Sequence, residues 1–88
     1  MSENEFKTLE DLRDNYEREI LEVCHDIEAY RVSFHYYASK LVAYMHMYNL
    51  LRCALNLDIV SYHIDWQLQT YTIDKNLFRI KESKQRKG

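Results

Sequence analysis

A stripe of apolar side chains with helical spacing runs through more than half of this 88-residue chain. Its members recur every three or four residues: Leu9, Leu12, Tyr16, Ile20, Val23, Ile27, Tyr30, Phe34, Tyr37, Leu41, Tyr44, Tyr48, Leu51 and Leu55. That spacing places all of them on one face of a helix. Proline is absent and the single glycine is the last residue, so few chain reversals are expected.

The stripe predicts one long helix over residues 8–56, preceded by a flexible N-terminus, residues 1–7. Thr8 and Asp11 resemble a capping box, which would start the helix at Thr8. A continuous helix of this length would extend about 70 Å, and an 88-residue monomer cannot bury one face of such a rod. The helix therefore either pairs with a second copy or folds back near 29–33. Without glycine or proline there, a continuous or merely kinked helix is favoured.

The second half of the predicted helix carries a second apolar stripe, consisting of Tyr36, Ala43, Met47, Leu50, Ala54 and Leu57. A helix with two apolar faces needs two packing partners. We predict that one partner is another copy of the chain, and that the copies meet along a tyrosine-rich seam. The predicted interface consists of Tyr30, Phe34, Tyr36, Tyr37, Leu41, Tyr44, Met47, Tyr48 and Leu51.

The second partner is predicted to be a β-hairpin over residues 58–82. Asn56 can take the left-handed conformation that ends a helix, and after it the apolar period changes from 3.6 to 2. The alternating residues are Val60, Tyr62, Ile64, Trp66 and Leu68. A three-residue loop at 74–76 would then place Ile73 opposite Leu77 and start the return strand. Residues 83–88 read as a basic, disordered tail.

The fold class is therefore predicted as α+β, a long N-terminal amphipathic helix followed by a C-terminal hairpin, assembled as a homo-oligomer. An all-α bundle is the alternative, since residues 55–73 also fit a ragged helical stripe. The short return strand would leave residues 59–65 with an unpaired edge, which invites pairing with another chain. Partner binding is predicted there, at Tyr62, His63, Asp65 and Trp66.

No motif in the sequence names a reaction, metal or cofactor. The four histidines have no chelating spacing, and the adjacent Cys24 and His25 point about 100° apart on a helix. A nucleophile elbow and a phosphate loop both need glycines that this chain lacks. Cys24 and Cys53 read as reduced thiols, which favours the cytoplasm. The acidic start does not resemble a secretory signal, and no stretch is long and apolar enough for a membrane span.

The leading functional hypothesis is a small, non-enzymatic, oligomeric protein-interaction module. It would act as an adaptor, or as an inhibitor that binds and occludes another protein of unknown identity. One alternative is single-stranded nucleic-acid binding through the basic tail and the aromatic hairpin, but the pI near 6.0 argues against that partner. The other alternative is a purely structural, self-assembling protein.

Overall fold

A computed structural model describes residues 2–80 of the chain. Two helices, α1 (Glu3–Ala29) and α2 (Phe34–Ala54), precede a small antiparallel sheet made of β1 (Tyr62–Asp65) and β2 (Thr70–Ile73). The order of elements, a long N-terminal helix followed later by a β-hairpin, confirms the α+β class in its coarse form. The all-α alternative is wrong.

Helix α1 begins earlier than predicted because the true capping box lies at Ser2. The Ser2 side chain accepts a hydrogen bond from the backbone N–H of Glu5, and the Glu5 carboxylate accepts one from the backbone N–H of Ser2. Both partners are the residue types that this motif favours. Thr8, the predicted start, is inside the helix and donates its hydroxyl to the carbonyl oxygen of Asn4. Residues 3–7 are therefore helical, and a flexible start over 1–7 is wrong for them.

The long helix is interrupted, so the prediction of a continuous or merely kinked rod is wrong. The last residues of α1 lead to Tyr30, whose φ of −125° and ψ of 67° are not helical. A single 3₁₀ turn, Arg31–Ser33, connects it to α2. Its central residue, Val32, is 100% exposed. The longest dimension of the molecule is 45 Å, well short of the roughly 70 Å rod.

The chain folds back at this point because its two apolar half-stripes bury each other. The helices lie antiparallel, since Glu17 in α1 contacts Tyr48 in α2 while Tyr30 stacks on Tyr37 beside the turn. The shared core consists of Ile20, Val23, Cys24, Ile27, Phe34, Ala38, Leu41, Met45, Tyr48, Val60 and Phe78. A large buried side chain contributes about 1.5–3 kcal/mol, and a lost helical hydrogen bond costs about 0.5–1.5 kcal/mol. Burial of two or three such side chains therefore offsets the break.

Helix α2 ends at the predicted left-handed asparagine. Asn56 has a φ of 63°, a conformation that asparagine tolerates better than most residues. Its backbone N–H donates to the carbonyl of Cys53, and the N–H of Leu57 donates to the carbonyl of Arg52 at 2.8 Å. This pair of bonds is the Schellman motif, which satisfies carbonyls that the helix end leaves unpaired.

The hairpin exists, but its turn lies eight residues earlier than predicted. The register pairs Tyr62 with Ile73 and Asp65 with Thr70, so the chain reverses within 66–69. Two local features stand in for the glycine that such a turn usually contains. The Asp65 carboxylate accepts the N–H of Leu68, and Gln69 takes a φ of 57°.

The predicted loop and edge are corrected by this register. Residues 74–76 do not connect two strands. Instead the Asp74 carboxylate accepts the N–H of Asn76 and starts a 3₁₀ turn, Lys75–Leu77. Opposition of Ile73 to Leu77 is therefore wrong, and the predicted edge at 59–65 is paired with β2 over residues 62–65. Alternation is right as far as Ile64, since Val60 is buried and both Tyr62 and Ile64 pack on the core.

Candidate functional site

A buried polar network joins the two helices to the end of the described chain. The Glu17 carboxylate is fully buried and accepts three hydrogen bonds: 2.6 Å from the hydroxyl of Tyr48, and 2.8 Å each from the backbone N–H groups of Arg79 and Ile80. The guanidinium of Arg52 is also buried and donates from Nη1 to the Tyr48 hydroxyl at 3.2 Å. The tyrosine thus connects an acid and a base that do not touch directly.

This network attaches the segment from Asp58 to Ile80 to the two helices. Arg52 also donates to the backbone carbonyls of Asp58 and Leu77, so it ties both ends of the hairpin segment to α2. Among residues 2–80, every buried side-chain nitrogen or oxygen has a hydrogen-bond partner. Burial, reinforced by the adjacent Glu17 carboxylate, raises the pKa of the Tyr48 hydroxyl well above its usual value. A carboxylate with three donors and no solvent contact is poorly placed to act on a substrate.

Further polar contacts fix the hairpin along one side of the helix pair. Asn49 exchanges two hydrogen bonds with the main chain of Val60, at 2.8 and 3.1 Å. At the other end, the Tyr71 hydroxyl donates to Glu28 at 2.7 Å, and burial with this contact raises its pKa. Arg31 donates to the carbonyl of Gln69 beside the hairpin turn. The hairpin is therefore anchored at both ends, and one side of α2 is covered by it.

The histidines and cysteines do not converge. Within the part of the chain that the structure describes, no three side chains of His, Cys, Asp or Glu come together in a way that could hold a metal ion. His35 is used in packing, since its ring stacks on Trp66 with centroids 5.6 Å apart. Cys24 is buried, Cys53 is exposed, and the two are not joined by a disulfide.

The side of α2 that faces away from the hairpin is apolar and uncovered. We define the outer α2 face as Tyr36, Lys40, Ala43, Met47, Leu50 and Ala54. At about 100° per residue, Met47 lies about 200° around the helix from Asn49, which contacts the hairpin. Tyr36 is 63% exposed, Met47 45% and Leu50 53%. Only Lys40 carries a charge on this face.

Half-buried aromatic rings widen this surface towards α1. Tyr44 packs edge to face on Tyr16 with centroids 6.0 Å apart, and Tyr37 stacks on the exposed ring of Tyr30 at 5.9 Å. Lys40 lies with its Nζ 5.8 Å from the centroid of the Tyr36 ring. A cation–π contact of this kind is weak. The aliphatic stem of Lys40 lies along the outer α2 face and adds to its apolar surface.

The structure divides the predicted interface into three groups. Phe34, Leu41 and Tyr48 are fully buried between the helices of one chain, so they are not available to a second copy while this fold is kept. Tyr30, Tyr36 and Met47 are exposed. The remaining residues, Tyr37, Tyr44 and Leu51, are half-buried beside the outer α2 face. Six of the nine predicted residues therefore remain at least partly accessible.

The predicted partner-binding residues of the hairpin are spread over two sides. Tyr62 and Asp65 are half-buried, whereas His63 and Trp66 are exposed. Trp66 retains 41% of its surface and packs on Phe34 at 6.1 Å, so it covers the core rather than filling it. A shallow depression of about 370 Å³ lies beside Tyr62 and His63, with Asp74 at its rim. Ser61, Thr72 and Ile73 complete its lining.

Sequence reasoning missed Glu17, Arg52 and Asn49, which carry the polar contacts of the core. A signal was present for the first two. Glu17 lies between the stripe residues Tyr16 and Ile20, and Arg52 follows the stripe residue Leu51. Charged residues are rarely buried without hydrogen-bonded partners, so charges beside an apolar stripe point to a buried polar network such as the one at Tyr48. The basic tail at 83–88, part of the nucleic-acid hypothesis, lies outside the described residues.

None of the helices within residues 2–80 is long and apolar enough to cross a membrane. No protein-family model, no curated protein and no solved structure matches this chain.

Proposed function

We propose that this chain is a non-enzymatic protein-interaction module whose binding surface is the outer α2 face. The observation that carries the proposal is the exposure of Tyr36, Met47 and Leu50 on the side of α2 that faces away from its buried core side. Single exposed apolar residues are ordinary, but a continuous apolar strip on a small domain marks an interaction site. The tyrosines suit a surface that alternates between water and a partner.

The shape of the surface favours a protein partner over a small molecule. From Tyr36 to Ala54 the face extends about 27 Å along the helix. It is the side of a helix, with ridges and grooves that another helix can complement, rather than a concavity that could enclose a ligand. The buried charged side chains of Glu17 and Arg52 are hydrogen-bonded within the core and are not part of this surface.

In the cell such a module acts as an adaptor, or as an inhibitor that occludes a working surface of its partner. The exposed thiol of Cys53 suits a reducing compartment, which supports a cytoplasmic location for this activity. Both roles require only that the fold present the outer α2 face and that this face be covered in the complex.

Photo-crosslinking in living cells of the organism that encodes this protein tests the proposal. The photoreactive residue p-benzoylphenylalanine replaces Met47 in one variant and Leu68 in a control, because Leu68 is 72% exposed on the hairpin turn, outside the outer α2 face. The proposal expects discrete protein adducts, with this chain or another, from the Met47 position. It also expects Leu50→Lys to reduce their yield several-fold, because a charge then enters the apolar contact. If both positions give the same adducts, or Leu50→Lys leaves the yield unchanged, the proposal is wrong.

A further inference from the structure

The outer α2 face has a symmetric arrangement along the helix. Its six residues pair about the level of residue 45: Tyr36 with Ala54, Lys40 with Leu50, and Ala43 with Met47. The spacing alternates between three and four residues, as in the seam of a coiled coil. A surface with this symmetry can meet an identical surface running in the opposite direction, with each residue opposite its counterpart.

We infer that the partner of this face is a second copy of the chain, bound through α2 in an antiparallel, two-fold symmetric dimer. The inference rests on the proposed function and names the partner of the same surface. A two-fold contact brings the same patch of both subunits together, so it requires a self-complementary surface. The outer α2 face meets this requirement in one orientation only.

Side-chain size favours the antiparallel orientation. In that register the ring of Tyr36 lies against Ala54 of the other copy, and the side chain of Met47 lies against Ala43. Large residues facing small ones let two helices approach and interdigitate. In a parallel pair Tyr36 would face Tyr36, and Ala43 would face Ala43. That arrangement gives a clash at one level and a gap at another.

Charge favours the same orientation. A parallel pair would place the two Lys40 ammonium groups opposite each other, whereas the antiparallel pair places each Lys40 opposite Leu50. The lysine stem then packs on the leucine while the ammonium group reaches solvent. The helix dipoles of the two copies also run in opposite directions, which brings unlike helix ends together.

The size of the surface sets the expected affinity. One helix face with its flanking rings Tyr37 and Tyr44 lies at the small end of specific interfaces, which bury about 1,200 Å² in total. We therefore expect a dissociation constant on the order of micromolar. At higher concentrations the mass should be twice the 10.8 kDa of one chain.

Sedimentation equilibrium over a concentration series, from about 1 µM to about 500 µM, tests the association. The wild-type chain should pass from monomer to dimer. Leu50→Lys should weaken the dimer about 100-fold, because it sets a new cation opposite Lys40 of the other copy. The matched control Leu68→Lys, the same substitution on the hairpin turn, should keep the wild-type mass profile. Circular dichroism confirms that both variants are folded.

A charge reversal tests the register. Lys40→Glu combined with Leu50→Lys places unlike charges opposite each other only in the antiparallel dimer, so the double variant should recover to within about 10-fold of the wild-type affinity. In a parallel dimer like charges would meet at both levels and no recovery would occur. A monomeric wild-type chain at about 500 µM, or a double variant as weak as Leu50→Lys alone, overturns the inference.

The crosslinking experiment separates this inference from the function on which it rests. Adducts from the Met47 position that contain only other proteins, together with a monomeric chain in the centrifuge, would refute the second copy and support the interaction module. An absence of any adduct specific to that position would refute both.

Discussion

Replacement of Tyr48 by phenylalanine tests whether the buried network holds the fold together. Tyr48→Phe removes only the hydroxyl and keeps the ring that packs on Phe78 with centroids 5.2 Å apart. The hydroxyl donates to the Glu17 carboxylate at 2.6 Å and accepts from Arg52 at 3.2 Å. Its loss therefore removes one hydrogen bond from each of two buried charged groups, without creating a large cavity.

The expected cost follows from those two bonds. A hydrogen bond to a charged group contributes about 1.5–3 kcal/mol, and Glu17 and Arg52 each keep other partners after the substitution. We expect the free energy of unfolding to fall by about 3 kcal/mol, out of roughly 4–13 kcal/mol for a domain of this length. With a urea m-value of about 1–3 kcal/mol per molar, the unfolding midpoint should fall by about 1–3 M.

Urea unfolding followed by circular dichroism measures the effect. The control is Tyr36→Phe, which removes the hydroxyl of an exposed tyrosine and should change the free energy of unfolding by less than about 0.5 kcal/mol. A loss below about 1 kcal/mol for Tyr48→Phe, with an unchanged m-value, would refute the reasoning. The hydroxyl would then contribute no more than an ordinary neutral hydrogen bond.

Three further predictions concern the hairpin and the pH range. Trp66→Ala should cost about 2 kcal/mol in urea unfolding, since the ring is 41% exposed; a cost of about 4 kcal/mol would mean that the ring fills the core. Gln69→Gly should raise the free energy of unfolding by about 0.5–1 kcal/mol because glycine accepts the φ of 57° without strain; destabilisation would contradict this. The folded state keeps the Tyr48 proton that the unfolded chain releases near pH 10, so Tyr48 should contribute about 1.4 kcal/mol per pH unit to the fall in stability above that pH, in addition to the contribution of Tyr71, and the Tyr48→Phe slope should be shallower by the Tyr48 amount.

The sequence predicted the elements of this fold better than their boundaries. The apolar spacing identified the helical residues on both sides of the break, as one helix rather than two, and Asn56 marked the end of α2, because each signal depends on local geometry. The reversal at Tyr30–Ser33 depends instead on the packing of the two apolar half-stripes against each other. The side chains that make these contacts extend as far from the turn as Ile20 and Tyr48. Because this segment contains neither glycine nor proline, no local residue type indicated the reversal.

The hairpin shows the same division. Alternation predicted that Tyr62 and Ile64 face the core, and it did so because the two-residue period is intrinsic to a strand. The turn position was wrong because Gln69 takes the left-handed conformation that asparagine or glycine usually occupies. The carbonyl of Gln69 also accepts a hydrogen bond from Arg31. These two residues are far apart in sequence, so local alternation could not indicate this contact.

The candidate surface was predicted in composition but not in extent. Tyrosine-rich spacing predicted an interface, which stays a prediction, and six of its nine residues remain at least partly accessible in the structure. Phe34, Leu41 and Tyr48 could not be separated from these by sequence, because an apolar residue in a stripe can pack on its own chain or on another chain equally well.

Glu17 accepts hydrogen bonds from the backbone N–H groups at positions 79 and 80. These positions should therefore tolerate changes of side chain but not the loss of the N–H group. Since the carboxylate accepts from main-chain N–H groups, the side chains of Arg79 and Ile80 can be exchanged without losing these two hydrogen bonds, and an exchange of Arg79 removes only its exposed ion pair with Asp14 at 3.4 Å. Proline is the exception at either position, because it has no N–H to offer and would leave a buried carboxylate oxygen short of a donor. Diversity libraries can therefore be built at these two sites with nineteen amino acids each.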